Sequence, residues 1–133
     1  MTLEERINAS ITYKHSGYNC AQAVILAYSD LLNIDRNILT NIGSGFGSGM
    51  GCMEGTCGAL CGAVIVAGIL KNSDNTKLIS KQLLTNFENK CGATICKDLK
   101  GINTGKPLCS CDDCVKNVVI ALTEELNFQI QNI

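Results

Sequence analysis

Histidine is almost missing from this chain, with His15 alone among 133 residues. Hydrolytic Ser–His or Cys–His chemistry needs a positioned base, and one histidine outside any such motif argues against it. Near the end of an expected first helix, His15 suits a partner for the helix dipole better than a metal ligand. A basic face is missing too: the formal charge is −1 with Lys and Arg scattered, which excludes nucleic acid as a partner. Between Asn37 and Leu70 there is no Lys or Arg, and Glu54 is the one charge. That stretch also lacks the GxGxxG and GxxxxGK patterns, so its glycines do not read as a phosphate cradle. No CxxCH haem-attachment motif is present. Met1 to Arg6 lack the basic start and apolar core of a signal peptide, so the expected compartment is the reducing cytoplasm. The most apolar run, Cys57 to Leu70, is shorter than the about 20 residues a bilayer needs, and no membrane insertion is expected.

Against these absences stand nine cysteines. A chain of this length buries a core without disulfide staples, and an odd number of thiols cannot pair completely. In a reducing compartment such a set points to metal or redox chemistry. The thiolate is the nucleophile and the ligand, and helix N-termini favour it through free N–H groups and the dipole. Asn19 and Gln22 form an N-cap pattern around Cys20. Thr56 precedes Cys57, Thr94 stands two before Cys96, and Ser110 with Asp113 caps a helix carrying Cys111 and Cys114. Four first turns are thus expected to carry cysteine.

The rest reads as helix. Thr2 and Glu5 form a capping box for a helix with Leu3, Ile7 and Ile11 on its apolar face, ending near Ser16 and Gly17. A second helix is expected from Cys20 to Leu32, burying Cys20, Val24, Ala27, Tyr28 and Leu31, and a short one from Asp35 to Ile42. Cys57 to Leu70 reads as the central helix, where Gly58 and Gly62 let a neighbour approach closely. Leu78, Leu83, Leu84 and Phe87 mark a fifth helix ending near Cys91 and Gly92. Thr94 to Lys100 forms a short helix. Gly101 to Cys109, with the single proline Pro107, forms a loop, and Cys111 to Gln129 is the last helix, built on Val115, Val118, Val119, Leu122 and Leu126. No segment alternates with period 2. The expectation is an all-α, compact helical bundle of about five to six helices in one domain, 1–133, with a glycine-rich loop, Gly43 to Gly55, before the central helix. So many glycines cost backbone entropy unless positive φ or close approach requires them. A loop packed against a sulfur site gives that requirement, and a surface turn is the plain alternative.

Asn19 to Val24, the glycine loop, the stretch Cys57 to Gly62, then Cys96 and Cys114 together resemble the C-GCAxxG-C-C family of redox-active proteins, across nearly the whole chain. The family's name writes glycine before cysteine where this chain has Cys57 followed by Gly58. The resemblance implies a redox role, and a similar helical domain is thought to occur in split-Soret cytochromes beside an iron–sulfur centre. It also implies the cofactor or metal ligands Cys20, Cys57, Cys96 and Cys114. Cys52, Cys61, Cys91, Cys109 and Cys111 fall outside the pattern. Cys109, Cys111 and Cys114 make a local CxCxxC that can hold a metal with Cys57 or Cys96 as fourth ligand. Secondary candidates are therefore Cys109, Cys111, Cys52, Gly58 and Gly55, while Cys61 and Cys91 read as core fillers. Cys111 and Cys114 imitate the CxxC of disulfide exchange without the βαβ context that motif requires.

Three functions stay open. One is electron transfer through an iron–sulfur cluster on the four family cysteines, with a redox partner protein. A second is a dithiol oxidoreductase cycling one cysteine pair. The third is a structural zinc or metal-handling protein, with zinc or no iron–sulfur cofactor. Homo-oligomer formation stays open beside all three.

Overall fold

The computed structural model describes residues 1–131, with side chains as far as Asn127. Among them are eight α-helices and no strand. The helices are α1 (Leu3–His15), α2 (Cys20–Ala27), α3 (Ser29–Leu32), α4 (Arg36–Gly43), α5 (Gly58–Leu70), α6 (Thr76–Cys91), α7 (Cys96–Lys100) and α8 (Cys111–Gln131), with one π-helical turn at Gly49–Met53. The all-α class is as expected, and the count rises to eight through the short helices α4 and α7 and one break inside the expected second helix. The long second helix ends at Tyr28, whose ring turns into the core. Its hydroxyl donates to the Val119 carbonyl at 3.0 Å and pairs with Thr123 Oγ1 at 2.8 Å. Arg6 donates to the Ala27 carbonyl at 2.7 Å and satisfies one of the acceptors left at that break.

Helix starts follow their capping residues. The Thr2–Glu5 and Asn19–Gln22 boxes both close, and Asp35 caps α4. Buried faces depart further from expectation. On α1 the fully covered residues are Arg6 and Ser10, while Leu3 is exposed and Ile7 and Ile11 are half-buried. Arg6 goes inside because Asp30 pairs with it at 2.7 Å and the Tyr28 ring lies 4.6 Å from its guanidinium carbon. Leu31, Leu78 and Leu84 are exposed, and α6 buries Ile79, Leu83, Phe87 and Cys91 at every fourth position.

α5 contacts α2, α3, α6 and α8, the central place expected of it. α2 is the more deeply buried of the two, with Val24, Ile25 and Leu26 almost sealed from solvent. Each such side chain contributes roughly 1.5–3 kcal/mol relative to exposure. α2 and α5 meet at Gly62, where a Cβ would lie 2.7 Å from the Ala21 carbonyl oxygen. The starts of α2, α5, α7 and α8 and the C-terminal ends of α1 and α6 share one end of the bundle, around one cavity.

Candidate thiolate centre

Each cysteine at that end arrives by a different local device. Cys20 is the first residue of α2, fixed by Asn19 Oδ1 accepting from the Gln22 N–H at 2.8 Å. Asn19 Nδ2 donates to the carbonyls of Gly43 at 3.2 Å and Ser44 at 3.3 Å, which fastens the glycine segment to α2. Cys57 is the N-cap of α5 and not its first-turn residue. Thr56 does not cap the helix, because it pairs instead with Ile95 in an antiparallel bridge. On either side of that bridge the Cys57 N–H donates to the Thr94 carbonyl at 2.8 Å and the Cys96 N–H to the Gly55 carbonyl at 3.0 Å. Thr94 is thereby drawn out of α7, which opens at Cys96 itself. Ser110 Oγ accepts from the Asp113 N–H at 3.1 Å and starts α8 at Cys111.

The glycine loop is built for close approach. A Cβ on Gly49, whose φ is +58°, would lie 2.5 Å from Cys96 Cβ. On Gly58 it would lie 2.5 Å from Cys20 Sγ and 2.6 Å from the Phe46 carbonyl oxygen. Gly55 sits against Met50 and Gly49, and its carbonyl seats Cys96. Ser48, Met50 and Met53 also take positive φ, a strained setting for non-glycine residues that surrounding contacts must hold.

Together these devices make a cavity of about 90 Å³ lined by Cys20, Cys57, Cys96 and Cys114 and by Cys109 and Cys111. Lys14, Lys100, Asn19 and Ser48 complete the polar lining. Cys52 is exposed on the π turn, its thiol directed at the Gly49 carbonyl 3.8 Å away, and Cys61 points at the Thr56 carbonyl at 3.9 Å. Neither lines the cavity.

The electrostatics single out one sulfur. Cys57 is held at about 7, chiefly by the Cys114 thiol donating toward it, then by the Leu60 and Ala59 amides and the Lys100 charge, against the cost of burial. Cys114 is pushed up in return, because its proton serves Cys57. Burial raises Cys20, as does a charge on Cys57, while the Ser48 amide of the loop eases it down. Burial also raises Cys96, and Lys100 offsets part of this.

A second convergence was not legible from spacing. The sulfurs of Cys91, Cys109 and Cys114 all lie within 4.8 Å of one another. Cys91 was expected to fill core; Cys111, expected beside Cys109 and Cys114, stays outside this group. The local CxCxxC therefore does not close on itself, because Cys111 opens α8 toward the cavity while Cys114, one turn on, faces Cys57 and Cys109. Sequence reading also missed the lining lysines Lys14 and Lys100, which carry no local signal for this role. His15 closes α1 and pairs with Asp112 at 2.7 Å, joining α1 to α8 across an exposed surface.

Fold and site define an all-α bundle with a thiol-lined cavity under a glycine loop. Residues 18–125 match the family described as "Putative redox-active protein (C_GCAxxG_C_C)", and the chain belongs to that family. No curated protein and no solved structure matches the chain. Among the described residues, no helix is long and apolar enough to cross a membrane.

Proposed function

We propose that this protein transfers electrons through an iron–sulfur cluster held by Cys20, Cys57, Cys96 and Cys114. The supporting observation is that these four thiols, brought from four helix starts, face one small cavity whose walls no Cβ at Gly49 or Gly58 would leave intact. An all-thiolate donor set is what such clusters take, and the cluster supplies a one-electron couple to the site when bound. The chain's own residues do the rest. Lys100 and Lys14 put positive charge beside a site that must lose thiol protons, the Ser48 amide faces Cys20, and the packed core closes the site from below. A redox partner protein, docking near the exposed loop, belongs to the same proposal.

Anaerobically purified protein should be brown, contain iron and sulfide, and give an electron paramagnetic resonance signal in one redox state. Serine at Cys20, Cys57, Cys96 or Cys114 should each abolish it, since losing one soft ligand breaks charge balance and geometry together. Serine at Cys52 or Cys61 should leave it intact. Colourless protein with stoichiometric zinc after reconstitution with both metals would replace this reading by a structural zinc site.

One observation favours a second reading. Cys57 and Cys114 are in thiol–thiol contact, with Cys57 poised as the thiolate. In a two-electron oxidation the Cys57 thiolate attacks a small disulfide oxidant, the Cys114 sulfur then displaces the bound half, and the oxidant leaves as two thiols that take up the Cys114 proton and one from solvent. A Cys57–Cys114 disulfide in mildly oxidised protein, reversed by dithiol, would favour this reading over the cluster if iron is absent.

A further inference from the structure

The thiols of the expected centre do not exhaust the sulfur at this end of the bundle. Cys91 closes α6 and is 3 % exposed, and Cys114 on α8 is also 3 % exposed. Cys109 lies half-buried in the loop before α8, held there by the Leu108 N–H donating to the Leu99 carbonyl at 2.9 Å. The end of α6 and the loop and first turn that open α8 thus bring three sulfurs within 4.8 Å of one another. A core filler has no reason to aim its sulfur at two others. Asn117, one turn beyond Cys114, donates its amide N–H to Cys91 Sγ at 3.3 Å, an outer contact that orients the sulfur.

We propose that Cys91, Cys109 and Cys114 form a second, three-thiolate site for a soft monovalent cation of the copper(I) class. Thiolate selects soft metals, and a group in which, among the described residues, three sulfurs converge mutually suits a trigonal ion better than tetrahedral zinc. With metal–sulfur bonds near 2.3 Å, a trigonal ion needs its sulfurs about 4 Å apart, within small side-chain adjustments of the spacing seen. Loading exchanges the three thiol protons for one cation, and Cys109 is the way in from solvent. The site goes beyond the four-thiolate proposal, since Cys91 and Cys109 have no part in it. Cys114 is common to both, so copper(I) in the triad withdraws one ligand from the neighbouring set.

The test supplies copper(I) anaerobically to the full metal-free chain, alkylates the remaining thiols and maps them by mass spectrometry. At two equivalents Cys109 should react about tenfold more slowly or less, because only a free thiolate is alkylated. Cys91→Ser should restore Cys109 reactivity, a coupling that a merely structural Cys91 would not produce. Equal Cys109 alkylation with and without copper(I), or protection that survives Cys91→Ser, overturns the proposal. Should Cys91→Ser lose its helical circular dichroism, Cys109→Ser at the half-exposed position must bind one copper(I) fewer than wild type, and unchanged stoichiometry is again a refutation. Iron and sulfide contents of Cys109→Ser equal to wild type keep the two sites distinguishable. Failure of iron to bind at all would sink the cluster reading without touching the copper result.

Discussion

The two ends of this bundle are held by different chemistry. Away from the cavity, Arg6, Asp30, Tyr28 and Thr123 form a satisfied polar network: Arg6 reaches the Ala27 carbonyl and both Asp30 oxygens, and the Tyr28 hydroxyl reaches Val119 and Thr123. At the cysteine end, Asn19 and Ser110 cap helix starts, but the sulfurs themselves are little satisfied. Backbone bonds around the Thr56–Ile95 bridge and glycines in close contact position the sulfurs, and Cys114 has only soft or long partners, the Cys57 thiol and the Cys109 carbonyl at 3.9 Å. One end spends its donors and acceptors on itself. The other keeps soft ligands available for something from outside, and its stability depends on backbone fit.

The sharpest way to break this contrast uses two glycines of one helix. Gly58→Ala places a methyl against Cys20 Sγ and the Phe46 carbonyl, and a backbone oxygen cannot swing aside, so we expect a loss of about 3 kcal/mol, the upper end of overpacking costs. Metal loading should fall with it. Gly68→Ala, at the far end of α5, meets Thr76 Cγ2 no closer than 3.7 Å and should gain about 0.5–1 kcal/mol from lower unfolded-state entropy. Denaturant midpoints of both variants check the pair; equal effects would remove the difference between the ends.

Arg6→Met tests the polar end. It leaves the Ala27 carbonyl and the Asp30 carboxylate without their partner and should cost about 2 kcal/mol, the scale of charge-assisted hydrogen bonds, with metal content unchanged. The Arg6 hydrogen bonds hold the Asp30 carboxyl below its ordinary range. A depressed folded value stabilises above the unfolded pKa of about 3.9 and is lost as pH falls through the folded one. Wild type should therefore lose stability in acid more steeply than Arg6→Met, and parallel acid curves would contradict the pairing.

This same contrast explains what the sequence could and could not tell. Local devices were legible: the caps at Thr2, Asn19 and Ser110 set helix starts, and the apolar positions of α8 fell on its buried face. Long-range choices were not. Arg6 and Ser10 are buried and Leu3 is exposed because α1 lies across Tyr28 and Asp30, partners that no window around α1 contains. Thr56 and Thr94 looked like caps, yet both belong to a bridge between segments almost forty positions apart. Cys91 had the spacing of a core residue on α6, and only the fold directs its sulfur to Cys109 and Cys114. A cysteine on an apolar helix face is ambiguous between filler and ligand until its sulfur has neighbours.

The smallest effect concerns one proton. In the metal-free chain, alkylation of Cys57 through the cavity should rise with pH around a midpoint near 7, while the half-buried Cys20 and the buried Cys96, both raised, should respond only at higher pH. Because its folded value is depressed, Cys57 adds stability above the unfolded pKa of about 8.5, and that contribution is lost as pH falls through about 7. The Cys114 thiol donating to Cys57 is the largest cause, so Cys114→Ala should move the midpoint upward. Cys114→Ser keeps a hydrogen-bond donor and should fall between Ala and wild type. A midpoint indifferent to both substitutions would mean that the amides of Leu60 and Ala59 and the charge of Lys100 hold the thiolate by themselves. The cysteine end would then poise its nucleophile through backbone and charge alone, with no side-chain hydrogen bond of the kind that secures Arg6.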